Sequence, residues 1–422
     1  MTPIVVQNSK LLPYMTDRYD LKGLGRLRQL LERQGAFRFK PLRTHLYAAA
    51  VVAPSNVHSG YEHCWVRDNV HISHAFYLTD QTRAAVRIMS ALMRFYTKHR
   101  QRFVDVIEAR VNRSDAMTRP HVRFNGATLE ESKQTWAHAQ NDALGYFLWM
   151  YGTLASKGLV KPSVDEIETL KLFPPYFDAI RYWEDEDSGH WEEMRKVEAS
   201  SIGAVVAGLK ALRAWLDGDD GVKQLEQRGQ FALEKILPFE CIDESLTKRR
   251  RYDAALVFLV FPLDVVGAAM GRRILKDIAE ALEGPFGIKR YLGDSYWAGD
   301  YKDKVTASQR TADFSDSLEA RDQLLAKGQE AQWCLFDPIM SAAYGRRYHR
   351  TGKKMDLDLQ THYFNRSIGQ LTGNVEGVKE FRCPEAYYLQ YGRYVPNDQT
   401  PLLWTQANLL IAMTLMEQSL SA

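Results

Sequence analysis

The sequence predicts an all-α protein whose helices pair into a toroid, with the connecting loops gathered over one end. Three observations carry this. Apolar residues recur at three-to-four spacing through most of the chain. Segments of strand character are few and short. Between the periodic runs lie long loops rich in aromatic and polar residues, with no fixed-period repeat of the kind that marks a solenoid.

The first periodic run is Leu21, Leu24, Leu27, Leu30 and Leu31, ending before Gly35. The next, from Arg83 to Tyr96, places Ala84, Val86, Ile88, Met89, Leu92 and Met93 on one face. Further helices are expected at roughly 133–155, 163–181, 199–216, 221–236, 264–283, 329–350, 354–371 and 400–418. Thr400-Pro401 reads as a start for the last of these, a capping Thr with Pro in the first turn. Val104–Ile107 and Ala255–Phe261 are the strand candidates, and the second fits a buried helix equally well. Loops are expected at 54–68, 109–132, 183–197, 284–312 and 376–399.

A chain of 422 residues with 45% hydrophobic content can bury a sizeable core. Length alone favours two or three domains, with large α/α and α/β barrels as exceptions. No Pro/Gly/Ser-rich linker divides the chain, so one unit over 1–422 is expected, with 1–20 as an N-terminal extension. The balance of 55 basic and 52 acidic residues gives no overall reason for a polyanionic partner, and no nucleic-acid partner is expected. The one dense basic run, Lys248-Arg249-Arg250-Arg251, reads as a solvated loop or helix end. Cys64, Cys241, Cys334 and Cys383 are far apart and form no zinc-type pair, which points to free thiols in a reducing compartment. No segment approaches the roughly 18 apolar residues that cross a bilayer. The N-terminus lacks a basic stretch followed by an apolar core. A cytoplasmic protein without a membrane partner is expected. The acidic run Glu184-Asp185-Glu186-Asp187 lacks the alternating ligands of a calcium loop and reads as a solvated turn, so no metal and no cofactor are expected.

The chemistry-bearing residues sit in the loops. Ser188-Gly189-His190-Trp191-Glu192-Glu193 sets two carboxylates directly after a Trp, and apolar walls raise a carboxyl pKa toward the range useful for proton transfer. Cys64-Trp65-Val66-Arg67-Asp68-Asn69 offers a guanidinium and a carboxylate beside an indole, fit either for vicinal hydroxyls or for bracing a helix start. In Trp136-Ala137-His138-Ala139-Gln140-Asn141-Asp142, helical spacing places Trp136 and Gln140 on one face, and His138 reads as a structural hydrogen-bonder. The other groups are Gly287–Tyr291 with Asp294, Tyr296 and Trp297, and Pro384-Glu385-Ala386-Tyr387-Tyr388 with Pro396-Asn397-Asp398 and the segment Leu403–Asn408.

In order and character these groups resemble the glucoamylase-type glycoside hydrolases, family 15, and the related N-terminal domain of phosphorylase kinase α and β subunits. The likeness begins near residue 50 and runs almost to the C-terminus. Trp65-Val66-Arg67-Asp68 resembles the aromatic-x-Arg-Asp motif, and Trp136 to Asp142 the Trp-x-x-x-Gln-x-Asp helix. Trp191-Glu192-Glu193 resembles the general-acid loop, and Arg290-Tyr291 with Asp294 the Arg-Tyr-x-x-Asp segment. Pro384-Glu385 resembles the catalytic-base loop. The resemblance implies an (α/α)6 barrel and inverting hydrolysis of α-linked gluco-oligosaccharides, with glucose released from non-reducing ends. It implies Glu192 as general acid and Glu385 as general base. Arg67, Asp68, Glu193, Arg290, Gln140, Asp142 and Tyr387 would bind sugar, and Trp65, Trp136 and Trp191 would shape the pocket. Tyr387 and Gln406 are expected to hydrogen-bond Glu385, Trp191 to bury Glu192, and Glu193 to repel it. Inverting hydrolysis needs two carboxyls roughly 6.5–9.5 Å apart with a water between.

The Trp-Val-Arg-Asp-Asn string, Glu330-Ala331-Gln332-Trp333 and Pro-Glu-x-Tyr-Tyr lean toward the phosphorylase kinase branch, whose best-known members are regulatory. A sugar-binding regulatory protein and a trehalase-like hydrolase are the alternative readings. Glu193 stands where the kinase-subunit pattern usually lacks a second acid. Loops 109–132 and 298–328 are expected to set linkage and chain-length preference. The polar stretch Ser308 to Ser317 is expected to be mobile. The sequence carries no signal for oligomeric state.

Overall fold

The structure is a computed structural model and describes residues 3–51, 60–216, 220–245, 248–306, 323 and 328–422. The stretch 308–317, most of loop 298–328 and much of loop 54–68 lie outside the described residues. The helices run α1 (Leu21–Gln34), α2 (Val66–Leu78), α3 (Thr82–Lys98), α4 (Gln101–Ile107), α5 (Asn141–Ser156), α6 (Val164–Leu170), α7 (Phe173–Ala179), α8 (Ala199–Trp215), α9 (Asp220–Ile236), α10 (Val257–Val260), α11 (Ala268–Ala281), α12 (Tyr301–Lys304), α13 (Phe336–Thr351), α14 (Lys354–Gly369) and α15 (Leu403–Ser421).

Burial sorts these helices into two kinds. Through most of their length α2, α5, α8, α13 and α15 are buried on every face, whereas α1, α3, α9 and α11 bury one stripe. A helix apolar all round belongs inside and an amphipathic one outside. The packing follows. Among the described residues α2 lies against α5, α5 against α8, α8 against α10, α10 against α13, α13 against α15, and α15 back against α2. This closes an inner ring. Outside it α3 packs on α2, α9 on α8, α11 on α10, α14 on α13 and α1 on α15. The arrangement is the expected all-α toroid of paired helices. Residues before α1 join a second apolar cluster with α14 and α15, where Leu11 and Tyr19 are buried and the Tyr19 hydroxyl donates to Asn365.

Several local expectations are corrected. Val104–Ile107 is not a strand: it lies inside α4, with Phe103 and Val106 buried one turn apart. Ala255–Phe261 is helical, a 3-10 turn at Ala254–Leu256 running into α10. The run at 163–181 is two helices, α7 starting afresh with prolines in its first turn. The helix anticipated from about 133 begins only at Asn141, so Trp136 and Gln140 occupy an irregular segment ahead of α5. The last helix starts at Leu403 behind Leu402, and the Thr400 hydroxyl donates to the Asn397 carbonyl instead of capping it. The expected loop at 54–68 runs directly into α2.

Two small antiparallel sheets stiffen the loops. One is β1 (Cys64–Trp65), β2 (Arg123–Asn125) and β3 (Glu130–Glu131), with Trp65 opposite Arg123. The other runs β4 (Glu283–Gly284), β5 (Gly287–Ile288), β6 (Gln332–Trp333), β7 (Ala386–Gln390) and β8 (Arg393–Pro396).

The tightest helix contact is α5 on α8. A Cβ at Gly145 would lie 2.3 Å from the Ala204 carbonyl carbon, and one at Gly208 would lie 2.6 Å from the Gly145 oxygen. Backbone cannot yield as a side chain does. Gly145→Ala is expected to lose about 1–3 kcal/mol, read as a lower urea midpoint at unchanged slope. Gly25→Ala in α1, where a Cβ meets nothing within 4 Å, is expected to be neutral or stabilising by about 0.5–1 kcal/mol.

Candidate active site

Arg67 and Asp68 stand in the first turn of α2, both buried. One Arg67 amino nitrogen donates to Asp142 Oδ2 at 2.6 Å and to Gln140 Oε1 at 3.2 Å, and the other donates to the His190 carbonyl at 3.0 Å. The guanidinium therefore joins the starts of α2 and α5 to the loop that carries Glu192. Glu192 Oε1 lies 3.6 Å from it. The Trp404 ring lies 5.5 Å from the same guanidinium.

The loop at 187–196 is closed by a bridge between Asp187 and Lys196. Gly189–Trp191 forms a 3-10 turn and Glu192 follows in the left-handed region, φ 57°. For a residue other than glycine that conformation costs roughly 1 kcal/mol or more. It also turns the chain so that the neighbouring carboxylates diverge. Glu192 Oε1 accepts from Trp65 Nε1 at 2.6 Å. Glu193 accepts from Arg290 at 2.8 Å and from the Tyr291 hydroxyl at 2.6 Å. Arg290 is itself clamped on Asp294 at 2.6 and 2.7 Å, beneath the rings of Trp191, Tyr296 and Trp333.

Glu385 directly precedes β7. Its carbonyl accepts from the Cys334 N–H, extending the β6–β7 pairing by one residue. Its carboxylate accepts from the Tyr61 hydroxyl at 2.7 Å and from Asn397 Nδ2 at 2.5 Å. Tyr61 in turn lies 3.2 Å from the Tyr296 hydroxyl, and its ring packs against Trp65 at 5.5 Å. Two adjacent rings thus hold the two acids, Trp65 the first and Tyr61 the second.

Burial dominates the electrostatics. It pushes the Glu385 carboxyl up to about 7, while Tyr61, Asn397 and the Arg290 charge pull it down. It raises Glu192 above the ordinary carboxyl value, against the opposing pull of Arg67, Arg123, Trp65 and Gln140. Asp68 is pushed up to about 7, first by burial and further by Glu192, with Arg67 opposing.

Some expectations about individual side chains change. The indole beside Glu192 is Trp65; Trp191 Nε1 donates to Asp253 instead. Glu193 is engaged by cations and does not crowd Glu192. Tyr387 does not reach Glu385: its hydroxyl donates to the Gln370 carbonyl. Tyr61 and Asn397 take the places anticipated for Tyr387 and Gln406. Gln140 and Asp142 direct oxygens to Arg67, and the Gln140 amide donates to Ala137. Arg250 is not a solvated member of its basic run: it stacks on Tyr291 at 3.4 Å and pairs with Asp253 at 3.3 Å. In the acidic run, Asp187 is buried and caps the Asn141 N–H, and Asp185 pairs with Arg119. His138 accepts from the Val122 N–H and stacks on His121, a structural role. The four cysteines are free and buried, and among the described residues no helix is long and apolar enough to cross a membrane.

Two carboxyls supplied by separate loops and held by adjacent aromatic rings are the kind of pair that glycoside hydrolysis uses. Residues 45–366 match the family described as Glycosyl hydrolases family 15, and the chain belongs to that family. A curated relative, the probable phosphorylase b kinase regulatory subunit alpha of Caenorhabditis elegans, is 24% identical over 84% of this chain. The chain spans 31% of that protein's length. A wild-type glycosidase of known structure superposes with a TM-score of 0.66 at 17% identity, over 94% of this chain and 99% of its own. The glucoamylase of Saccharomycopsis fibuligera superposes with a TM-score of 0.58 at 13% identity, over 96% of this chain and 97% of its own. These structural likenesses are of the fold.

Because the folded Glu385 carboxyl titrates near 7, above its ordinary 4.5, the folded protein holds this proton more tightly than the unfolded chain. Through this group stability is greatest at low pH and declines as pH rises toward 7. Glu385→Gln removes the decline. Relative to wild type the variant is expected to gain about 2–3 kcal/mol between pH 5 and pH 8, measured by urea unfolding at both.

Proposed function

We propose that the protein is an inverting, exo-acting α-glucosidase that releases glucose from the non-reducing ends of α-gluco-oligosaccharides. The observation that carries the reading is the pair Glu192 and Glu385, on separate loops, held by the adjacent rings of Trp65 and Tyr61. Glu192 is the general acid that protonates the leaving oxygen. Burial keeps its proton to higher pH than an exposed carboxyl would, as the role requires. Glu385 is the general base that takes a proton from the attacking water. Tyr61 and Asn397 donate to its carboxylate and favour the ionised form that the role needs.

Arg67 and Asp68 would meet the hydroxyls of the terminal sugar, and Glu193 with Arg290 those of its neighbour. Trp136, Trp333 and Trp404 support the reading, because their buried indole N–H groups have no hydrogen-bond partner among the described residues. Such donors are costly unless a ligand or water meets them. Gln140 and Asp142 fit a supporting role through Arg67, and Tyr387 a structural one.

A second reading is a sugar-binding regulatory protein without turnover, favoured by the curated relative. Calorimetry separates the two: maltotriose would bind while no glucose appeared on prolonged incubation. On the hydrolase reading, Glu192→Gln and Glu385→Gln each lower kcat on maltotriose by at least about 100-fold with the circular-dichroism spectrum unchanged. Near-normal turnover in both variants would refute it. NMR of fresh product is expected to show β-glucose first, the outcome of single displacement at an α-linked carbon.

A further inference from the structure

Arg123 is a second guanidinium whose charge is felt at Glu192. It stands on β2 directly opposite Trp65. Its guanidinium carbon lies 3.9 Å from the Trp136 ring centroid and 4.9 Å from that of Trp65, and the two indoles meet edge to face at 6.2 Å. One amino nitrogen donates to Gln134 at 3.3 Å. The chain leaves room for this cation at Gly60, φ 77°, where a Cβ would fall 2.1 Å from the Arg123 amino nitrogen. The Trp65 ring that Arg123 covers is the one whose N–H holds Glu192.

We propose that Arg123 is a positioning residue for Glu192: it fixes the indole that presents the carboxyl. The inference rests on the hydrolase reading only for the role of Glu192. Around that carboxyl, α2 contributes Arg67 and Asp68, the segment before α5 contributes Gln140, β1 contributes Trp65 and β2 contributes Arg123. Glu193, next in the chain, is engaged by Arg290 and Tyr291. His63, 3.3 Å from Glu62, is held below its usual range first by burial and then by the Arg123 charge. Burial and Asp68 favour the protonated form of Glu192, and the two guanidiniums favour the ionised form. Arg67 also neutralises Asp142 at 2.6 Å, so its charge is shared. A general acid must keep its proton until the bond breaks and then give it up, and excessive burial would defeat the second half. Stacked between indoles, a guanidinium keeps its charge and its place.

The test is a titration of Glu192 by carbon-13 NMR of the glutamate carboxyls, with the resonance assigned through Glu192→Gln. It reads the group whether or not the protein turns over. In Arg123→Gln the Glu192 midpoint is expected at higher pH than in wild type, and in Arg123→Lys close to wild type. Gly60→Ala, which displaces the guanidinium without removing its charge, is expected to move the midpoint in the same direction as Arg123→Gln. Where the wild type hydrolyses maltotriose, one limb of the pH profile of kcat/KM moves up in Arg123→Gln and not in Arg123→Lys. An unchanged midpoint in Arg123→Gln, or an equal displacement in Arg123→Lys, overturns the proposal. So does loss of fold in both Arg123→Gln and Gly60→Ala, which would make Arg123 a structural brace. A wild type without turnover but with the displaced titration defeats the hydrolase reading alone.

Discussion

The site depends on one buried cation. Arg67 sits in the first turn of α2, the wrong end of a helix for a positive charge. It is held there by Asp142 in the first turn of α5, by Gln140 just before that helix and by the His190 carbonyl. Three segments far apart in sequence meet at one planar group, whose fixed fork of donors sets their mutual angles. Removing either partner would leave the other charge buried without compensation, which is more damaging than never having had the pair. The inner-ring helices therefore do not merely carry the loops. The N-terminal ends of α2 and α5 are locked together at the point from which the Glu192 loop hangs.

Once that junction is fixed, the two acids are placed by different means. Glu192 takes its direction from a left-handed residue and an indole on the β1–β2–β3 sheet. Glu385 takes its direction from the end of a strand in the other sheet, with Asn397 supplied by the segment just after β8. Neither depends on a long flexible segment. Tyr61 and Trp65 are four residues apart, so one short stretch of chain contacts both acids and couples the two sheets. Precision in such sites comes from supporting contacts of this kind.

How much of this was legible in sequence follows from which forces leave a periodic trace. The amphipathic outer helices were visible because one face alone is apolar: α1 and α3 fall where their leucines and methionines place them. Helix α2 escaped because its buried face includes Arg67, Asp68, His71 and His74, so no apolar stripe marks it. Val104–Ile107 looked like a strand because four residues are too few to separate a period of two from one of 3.6, and Phe103 outside the window settles it as helix. The motifs single out Glu192 and Glu385. They do not single out the partners. Tyr61 and Asn397 reach Glu385 from 324 and 12 residues away, and no spacing rule links them. Adjacency pairs Trp191 with Glu192, but in the fold its indole N–H donates to Asp253. Arg123 left no mark beyond membership of a polar loop, because its role arises only when β2 pairs with β1.

A glycosidase shares this fold and a probable kinase regulatory subunit is 24% identical over 84% of this chain, so likeness does not decide between turnover and binding. A buried carboxylate serves a binding site as well as a catalytic one where donors or cations meet its charge, as Arg290 and Tyr291 meet that of Glu193. Burial raises the Glu385 carboxyl while the Tyr61 and Asn397 donors and the Arg290 charge lower it, and the balance of these leaves it at about 7. Opposed forces of that kind leave a group near the midpoint of its titration, able to take and release a proton. Asp68 is pushed up to about 7 as well, so a base and a binding group share this position and the two readings part at turnover.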